Sequence, residues 1–387
     1  MKKLLFLLIT ILISQCLAAE SEGRDPLPIH MRGYVKAMPG LLLDKEFSDP
    51  GFYGIMHNRL NFRMDITEGL NLHLEGRNRI IYKADFQDNP FIKDFFSHDD
   101  GLVDMSWVWL SEGGWIGHSE IDRLYLNWSL DAWRIRVGRQ RINWGINLVS
   151  NPNDLFNTYS FFDFDYAERP GADAVRVQHF LSDLSSIEIA ISPARRGRET
   201  VAAAKYVINM RGYDIQAIGG YFKDRAALGG GWAGHLGGAG FKGEATWFYD
   251  LEKLPGTNRG NVVAAAGLDY MFPRGTFAVA EFLYNGGHER SDQKPVSINE
   301  PLRPDNIMFS KYAITISADR VFSPLFSSGI AVMALPDIDA AFLMPNFNYS
   351  VMTNIDFEFI AQLFLGGKEP IFEEEGYVFF GSFKYSF

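Results

Sequence analysis

From His57 to Ile66 the chain alternates: Leu60, Phe62, Met64 and Ile66 are apolar, while His57, Arg59, Asn61, Arg63 and Asp65 between them are polar or charged. A period of two belongs to a half-buried β-strand. Thr67-Glu68-Gly69 interrupts the pattern as a tight turn, and it resumes with Leu70, Leu72 and Leu74 set against Asn71, His73, Glu75, Arg77 and Arg79. Such a pair is an antiparallel hairpin with one apolar and one wet face. The same unit recurs downstream. Leu124, Leu126, Trp128 and Leu130 alternate with Arg123, Tyr125, Asn127 and Ser129; after Asp131-Ala132 come Trp133, Ile135 and Val137 against Arg134, Arg136 and Gly138.

Short turns are expected further along near 182–185, 210–212, 239–241, 273–275, 321–325 and 353–354. Longer connections are expected near 84–119, 141–171, 223–231, 251–260, 286–308 and 366–375, with briefer ones at 194–199 and 336–339 on the same side. A two-sheet sandwich could show the same alternation, but its inner face would need a second sheet to cover it. Short turns at one end and long loops at the other point instead to an all-β fold, a transmembrane antiparallel up-and-down β-barrel of about eighteen strands (roughly 16–20), with both termini at the short-turn end. The segments 232–250 and 326–349 are Gly-rich or weakly patterned, so strand boundaries are least defined there.

The last residues fit this scheme. Tyr377, Phe379, Phe383, Tyr385 and Phe387 share one strand face, and Ser382, Lys384 and Ser386 share the other. Phe383, Tyr385 and Phe387 also form the aromatic, alternating ending that resembles the signal read by barrel-assembly machinery; the plainer reading is an ordinary amphipathic strand. At the other end, Met1-Lys2-Lys3, an apolar run from Leu4 to Ile13 and the small residues before Glu20 read as a cleaved signal peptide over 1–19, leaving 20–387 as a single barrel domain. The one cysteine, Cys16, lies inside that signal, so a mature chain would hold no thiol; Cys16 as a lipidated first residue is a weaker reading, because Gln15 precedes it.

Composition sharpens the picture. Aromatic residues make up 14% of the 387 residues while charged ones still make up 22%, which suits a chain that is apolar only at every second position. The formal net charge of −10 argues against a nucleic-acid partner. The expected location is the bacterial outer membrane, with membrane lipid, the assembly machinery and a small hydrophilic or anionic solute as partners.

Alternation sends Arg59, Arg63, Arg77, Arg79, Arg123, Arg134 and Arg136 into the lumen, together with Glu75 and Glu358. Guanidinium stays charged and forks onto anions, so these residues could line a path for anionic solutes. Alternatively they pair with Glu75, Asp65 and the acids at Glu188, Glu244, Asp269, Glu281, Asp319, Asp356 and Glu358, and only hold the barrel together. Arginines cluster in the first third and acids in the last, so a transverse field across the pore is a third outcome.

The stretch after the second hairpin is unusual. It reads Gly138-Arg139-Gln140-Arg141, then Trp144-Gly145, then Asn151-Pro152-Asn153-Asp154, and later Glu168-Arg169-Pro170-Gly171. Loops of that length in a compact protein usually constrict or bind. Folded inward, 141–171 would narrow the pore through Arg141, Asn151, Asp154 and Arg169; otherwise it would form an extracellular cap. The Gly-Arg-Gln, Trp-Gly and Asn-Pro elements resemble the signature of porin-like outer-membrane proteins that include the alginate-export channels and uncharacterised relatives, most strongly over about residues 120–180. That resemblance implies about eighteen strands and an Arg-rich interior passing an anionic polysaccharide.

Chemistry beyond passage is not indicated. A lipid-hydrolysing barrel would need Ser, His and Asn or Asp near the rim on the lipid side, whereas His57 and His73 fall on the polar face and no Gly-x-Ser-x-Gly elbow accompanies them. His98-Asp99-Asp100 and Glu373-Glu374-Glu375 could hold calcium but read more simply as solvated loop charges. No cofactor is implied. The sequence therefore leads to a porin-like channel for passive diffusion or export of hydrophilic solutes; the alternative is a plugged structural or adhesive barrel whose extracellular loops bind ligands.

Overall fold

A computed structural model describes residues 29–44, 46, 50–87, 92–97, 99, 101–157, 171–252, 259–288, 303–366 and 376–387. The period-two segments form strands β1 (Ile29–Leu43), β2 (Gly51–Thr67) and β3 (Leu70–Lys83), then a six-residue helix α1 (Ile92–Ser97), a short strand β4 (Ser106–Glu112), β5 (Trp115–Leu130) and β6 (Trp133–Gln140). There follow β7 (Ala172–Ser182), β8 (Ser185–Ser192), β9 (Val201–Met210), β10 (Tyr213–Phe222), β11 (Arg225–Leu236), β12 (Ala239–Asp250) and β13 (Gly260–Met271). The chain finishes with β14 (Thr276–Asn285), β15 (Tyr312–Ser323), β16 (Phe326–Leu335), β17 (Ala340–Met352), β18 (Ile355–Gly366) and β19 (Tyr377–Ser386).

Every pairing is antiparallel, and β19 returns to pair with β1 from Tyr34 opposite Ser386 to Leu43 opposite Tyr377, which closes the sheet. Leaving aside β4, which pairs with β5 alone, the wall is an 18-strand barrel, as the sequence pattern leads one to expect. Short turns join β2 to β3, β5 to β6, β7 to β8 and so on to β17 and β18, and they share one rim with the start of β1 and the end of β19. At the turn between β11 and β12, Gly237 and Gly238 have φ of +58° and +89°, the left-handed pair that a two-residue hairpin requires.

Burial is inverted relative to a soluble protein. Leu126, Trp128, Val137, Ile189 and Ile316 face outward and are exposed, whereas Arg59, Glu188 and Glu244 point inward and are buried. This is the apolar-out, polar-in alternation of a membrane barrel. Phe383, Tyr385 and Phe387 are on the outer face, with Ser382 buried on the inner one.

Three boundaries differ from expectation. The connection expected at 223–231 is the two-residue turn Lys223-Asp224, because β11 already starts at Arg225; the turn expected at 239–241 lies at Gly237-Gly238. The stretch 84–119, expected to be irregular, contains α1, β4 and the upper half of β5. β2, β3 and β5 run 17, 14 and 16 residues against 8 for β6, so this side of the wall stands taller.

Candidate functional site: the lumen and its inward segment

At the end of β6 the chain leaves the wall through a device built from Gly138-Arg139-Gln140. Gly138 has φ +119°, and a Cβ there would run into the Leu124 carbonyl, so only glycine makes this bend without strain. Gln140, fully buried, donates from Nε2 to the carbonyls of Arg136, Gly138 and Ala174 at 3.2, 3.4 and 3.1 Å and satisfies the strand end. Arg139 clasps three segments at once. Its Nε donates to Asp173 Oδ1 of β7 at 2.8 Å, its Nη1 to Asp99 Oδ2 at 2.8 Å and its Nη2 to the Val103 carbonyl at 2.7 Å. β4 then takes up the free edge of β5 from Trp115 to Glu120, above the point where β6 departs.

Residues 141–157 turn into the barrel and are fastened across five strands. Trp144 Nε1 donates to Glu188 of β8 at 2.6 Å, and the Trp144 carbonyl accepts from Gln216 of β10 at 2.9 Å. Asn153 Nδ2 donates to the Gly230 carbonyl of β11 at 3.0 Å. The backbone N–H of Ile146 donates to Glu244 of β12 at 2.7 Å, and those of Val149 and Ser150 donate to Glu281 of β14 at 3.1 and 2.6 Å. Asp154 accepts from the Trp144 N–H, and Asn157 from that of Ile142 at 2.7 Å. The inward fold weighed from the sequence is therefore present over 141–157. Asn151 and Asp154 are buried within it, Arg141 is half-buried at its root, and Arg169 lies outside the described residues.

The wall is carved to receive this segment. Gly229 and Gly231 face it, and a Cβ at either would come within 2.8 Å of Asn153 Oδ1 or Ile146 Cδ1 respectively. A second stretch, 303–311 between β14 and β15, also folds inward, which the sequence did not reveal. Arg225 donates to Asp305 at 2.7 Å, Asn261 to the Asp305 carbonyl at 3.0 Å, and Asn285 to the Met308 and Ser310 carbonyls at 2.5 and 3.1 Å. Ile142, Trp144 and Leu155 of the first segment and Ile307, Met308 and Phe309 of the second join one apolar core with small inward wall residues such as Ala190, Ala203 and Ala265.

The arginines divide into two groups. Arg59 is buried against Asp122 and, at 2.7 Å, Glu75; Arg77 pairs with Glu120, with Nε donating at 2.8 Å; and Arg79 contacts His118 at 3.2 Å. Arg123 donates to the Asp122 carbonyl at 2.9 Å, and the more exposed Arg63 pairs with Asp65 at 2.9 Å. Arg134 and Arg136 differ. Arg136 lies 4.6 Å from the Tyr125 ring centroid and donates to Asn127 at 3.3 Å, and Arg134 lies 5.4 Å from the Phe180 ring; neither guanidinium forms an ion pair among the described residues. Of the acids weighed from the sequence as partners for the arginines, Glu75 and Asp65 do pair with Arg59 and Arg63, whereas Glu244 and Glu281 hold loop N–H groups. Asp122 and Glu120, which pair with Arg59 and Arg77, and Asp173 and Asp99, which pair with Arg139, were not among them. Glu358 pairs with Lys36 at 3.8 Å, and Glu188 with Arg176 at 2.6 Å.

Among the loop acids proposed as calcium ligands, Asp99 is committed to Arg139; His98, Asp100 and Glu373 to Glu375 lie outside the described residues. Burial pushes the Asp99 carboxyl up, but hydrogen bonds from Arg139 and from the N–H groups of Met105 and Gly101 outweigh it and leave its pKa below the usual range.

No family model matches the sequence, and no curated protein matches it. Solved structures do resemble the fold. Acinetobacter baumannii OccAB4 aligns over 93% of this chain and 98% of its own at a TM-score of 0.58 with 8% identity. Pseudomonas aeruginosa OprD aligns over 93% of each chain at 0.56 with 7% identity. Salmonella typhi OmpF, in complex with daunomycin, aligns over 93% of this chain and 97% of its own at 0.50 with 10% identity. At such identities the likeness is one of architecture: the chain has the fold of bacterial outer-membrane porin barrels.

Proposed function

We propose that this chain, after loss of an export signal over 1–19, is an outer-membrane channel that passes hydrophilic solutes passively, with anions favoured. The observation that carries the reading is the segment 141–157 pinned inside a closed barrel whose strand β6 also turns Arg134 and Arg136 inward, two guanidiniums that form no ion pair among the described residues. A pinned segment narrows the bore without closing chemistry, and unneutralised guanidiniums favour carboxylate, sulfate or phosphate groups over cations. An anionic polysaccharide, as in alginate-export channels, is one solute of that chemistry. The remaining inward arginines, each engaged by neighbours, chiefly brace the wall. Folding would proceed through the assembly machinery, with Phe383, Tyr385 and Phe387 as its contact face; deleting Phe387 should slow insertion.

Purified protein in planar bilayers tests this. Steady single-channel current with a reversal potential on the anion side under a salt gradient supports the proposal; cation selectivity refutes the anion preference. A second reading, a plugged barrel acting through its outer loops, draws on the apolar core shared by 141–157 and 303–311. It requires the absence of steady current.

A further inference from the structure

On the outer face, strand register puts Tyr221 beside Ala202 and Ala226, and Ala226 beside Tyr249, so two tyrosines share a row close to the long-connection rim. Trp247 sits one step below on the same face. Over this row the connection between β8 and β9 carries Arg195, Arg196 and Arg198, the turn after β10 carries Lys223, and the approach to β13 carries Arg259, all exposed. The Tyr221 hydroxyl shares its one proton between Asp224 Oδ1 at 2.9 Å and the Arg198 carbonyl at 3.2 Å, which holds the connection against the outer wall. The Arg259 guanidinium lies 5.0 Å from the Tyr249 ring centroid.

Acids in the patch are already engaged. Glu199 meets Arg196 at 3.6 Å, Glu252 takes both Nη atoms of Arg198 at 3.3 and 3.0 Å, and Asp224 accepts from Tyr221 at 2.9 Å. Arg195, Lys223 and Arg259 remain without an ion-pair partner among the described residues, and Arg195 reaches only the Leu102 carbonyl, at 3.4 Å.

We propose that this arginine and tyrosine patch binds the phosphate group of a membrane lipid in the leaflet bordering the long-connection rim. Guanidinium forks onto phosphate oxygens, and tyrosine and tryptophan settle at headgroup depth. Directly below, Ala217, Gly230, Ala245 and Ala264 are successive neighbours across β10 to β13, a shallow band in which an acyl chain can lie. A site for a free anion would have no use for that apolar border. The inference rests on the outer-membrane placement proposed above.

The test is native mass spectrometry of the refolded full-length barrel, with folding in micelles scored separately by its heat-dependent gel shift, so that a folded barrel indifferent to phosphorylated lipid fails this inference alone. The probes are a bis-phosphorylated, multiply acylated glucosamine disaccharide, the same lipid without phosphates, and inorganic phosphate. The phosphorylated lipid should be retained at least about fivefold more than the dephosphorylated one, and the triple variant Arg195→Gln/Arg198→Gln/Arg259→Gln should remove that preference. Glu252→Gln, which frees Arg198 and threatens no fold, should raise retention. Equal retention of the two lipids, an unchanged triple variant, an unchanged Glu252→Gln variant, or displacement of the lipid by millimolar inorganic phosphate would each overturn the proposal.

Discussion

Arg139 and Asp173 form a two-pronged ion pair, Nε to Oδ1 at 2.8 Å and Nη2 to Oδ2 at 3.1 Å, at the point where β6 and β7 part and the chain turns into the lumen. Both are buried, so the pair cannot be exchanged for water without leaving a charge stranded. Arg139→Ala should cost about 3–5 kcal/mol of stability, the usual penalty for stripping one partner from a buried pair. A urea titration followed by the heat-dependent gel shift checks it.

Acid should loosen the same clasp. The Asp99 carboxyl has its pKa lowered on folding, so its contribution is fully present above the unfolded value of about 3.9 and disappears as pH falls through the lower folded value. Thermal stability should therefore be insensitive to Asp99 from neutrality to about pH 5 and drop below about pH 4. Asp99→Asn should remove that acid step and leave the protein uniformly less stable; melting curves across pH measure both.

Glu281 accepts two backbone N–H groups of the inward segment, one on each oxygen. A glutamine there keeps one acceptor and turns an amide hydrogen toward the other N–H. Glu281→Gln should thus cost about 1–3 kcal/mol and let 146–150 fluctuate, visible as noisier open-channel current and faster proteolysis of the segment in folded protein.

The bare wall under Ile146 gives a steric test. Gly231→Val would put a branched side chain whose Cβ meets both Ile146 Cδ1 and the Gly243 carbonyl of the neighbouring strand at 2.8 Å. The flexible end of Ile146 can give way more easily than the wall backbone, at a cost of about 1–3 kcal/mol. A rise in single-channel conductance is the expected outcome, and an unchanged conductance with lost folding would place the weakness in the wall.

Arg134→Ala/Arg136→Ala should move the reversal potential toward cation preference. Arg59→Ala should instead destabilise the barrel, because it strands Asp122 and Glu75. Salt-gradient recordings and unfolding curves on the two variants separate selectivity from bracing.

The barrel was legible because alternation is a property of neighbouring residues: once Leu60, Phe62 and Met64 face lipid, Arg59 and Arg63 must face inward. The pinned segment was only half legible. Gly138-Arg139-Gln140 and Asn151-Pro152 marked 141–171 as special, but its direction depends on Glu244 and Glu281, about a hundred residues away, whose partners are backbone atoms that leave no trace in side-chain pattern. The glycines of β11 blurred the strand signal for a physical reason, since Gly229 and Gly231 are bare where the segment presses on them. Ile307-Met308 was read as the end of a connection because an apolar pair beside Phe309 does not declare which surface will cover it. Asp122 was missed because it occupies a bulge, where pairing slips between Glu75 opposite Arg123 and Gly76 opposite Ile121.

The short strand β4 has its own consequence. On the tall side of the wall, β5 climbs beyond β6 from Trp115 to about Ile121, roughly 20 Å of ladder that β6 leaves uncovered on that flank. An open ladder of that length is an invitation to stray strands from other molecules, and β4 occupies it from within the same chain. A barrel whose chain deserts its own staves to fill the bore thus guards its rim against self-assembly, and trimming Ser106–Glu112 should yield protein that still closes but clumps.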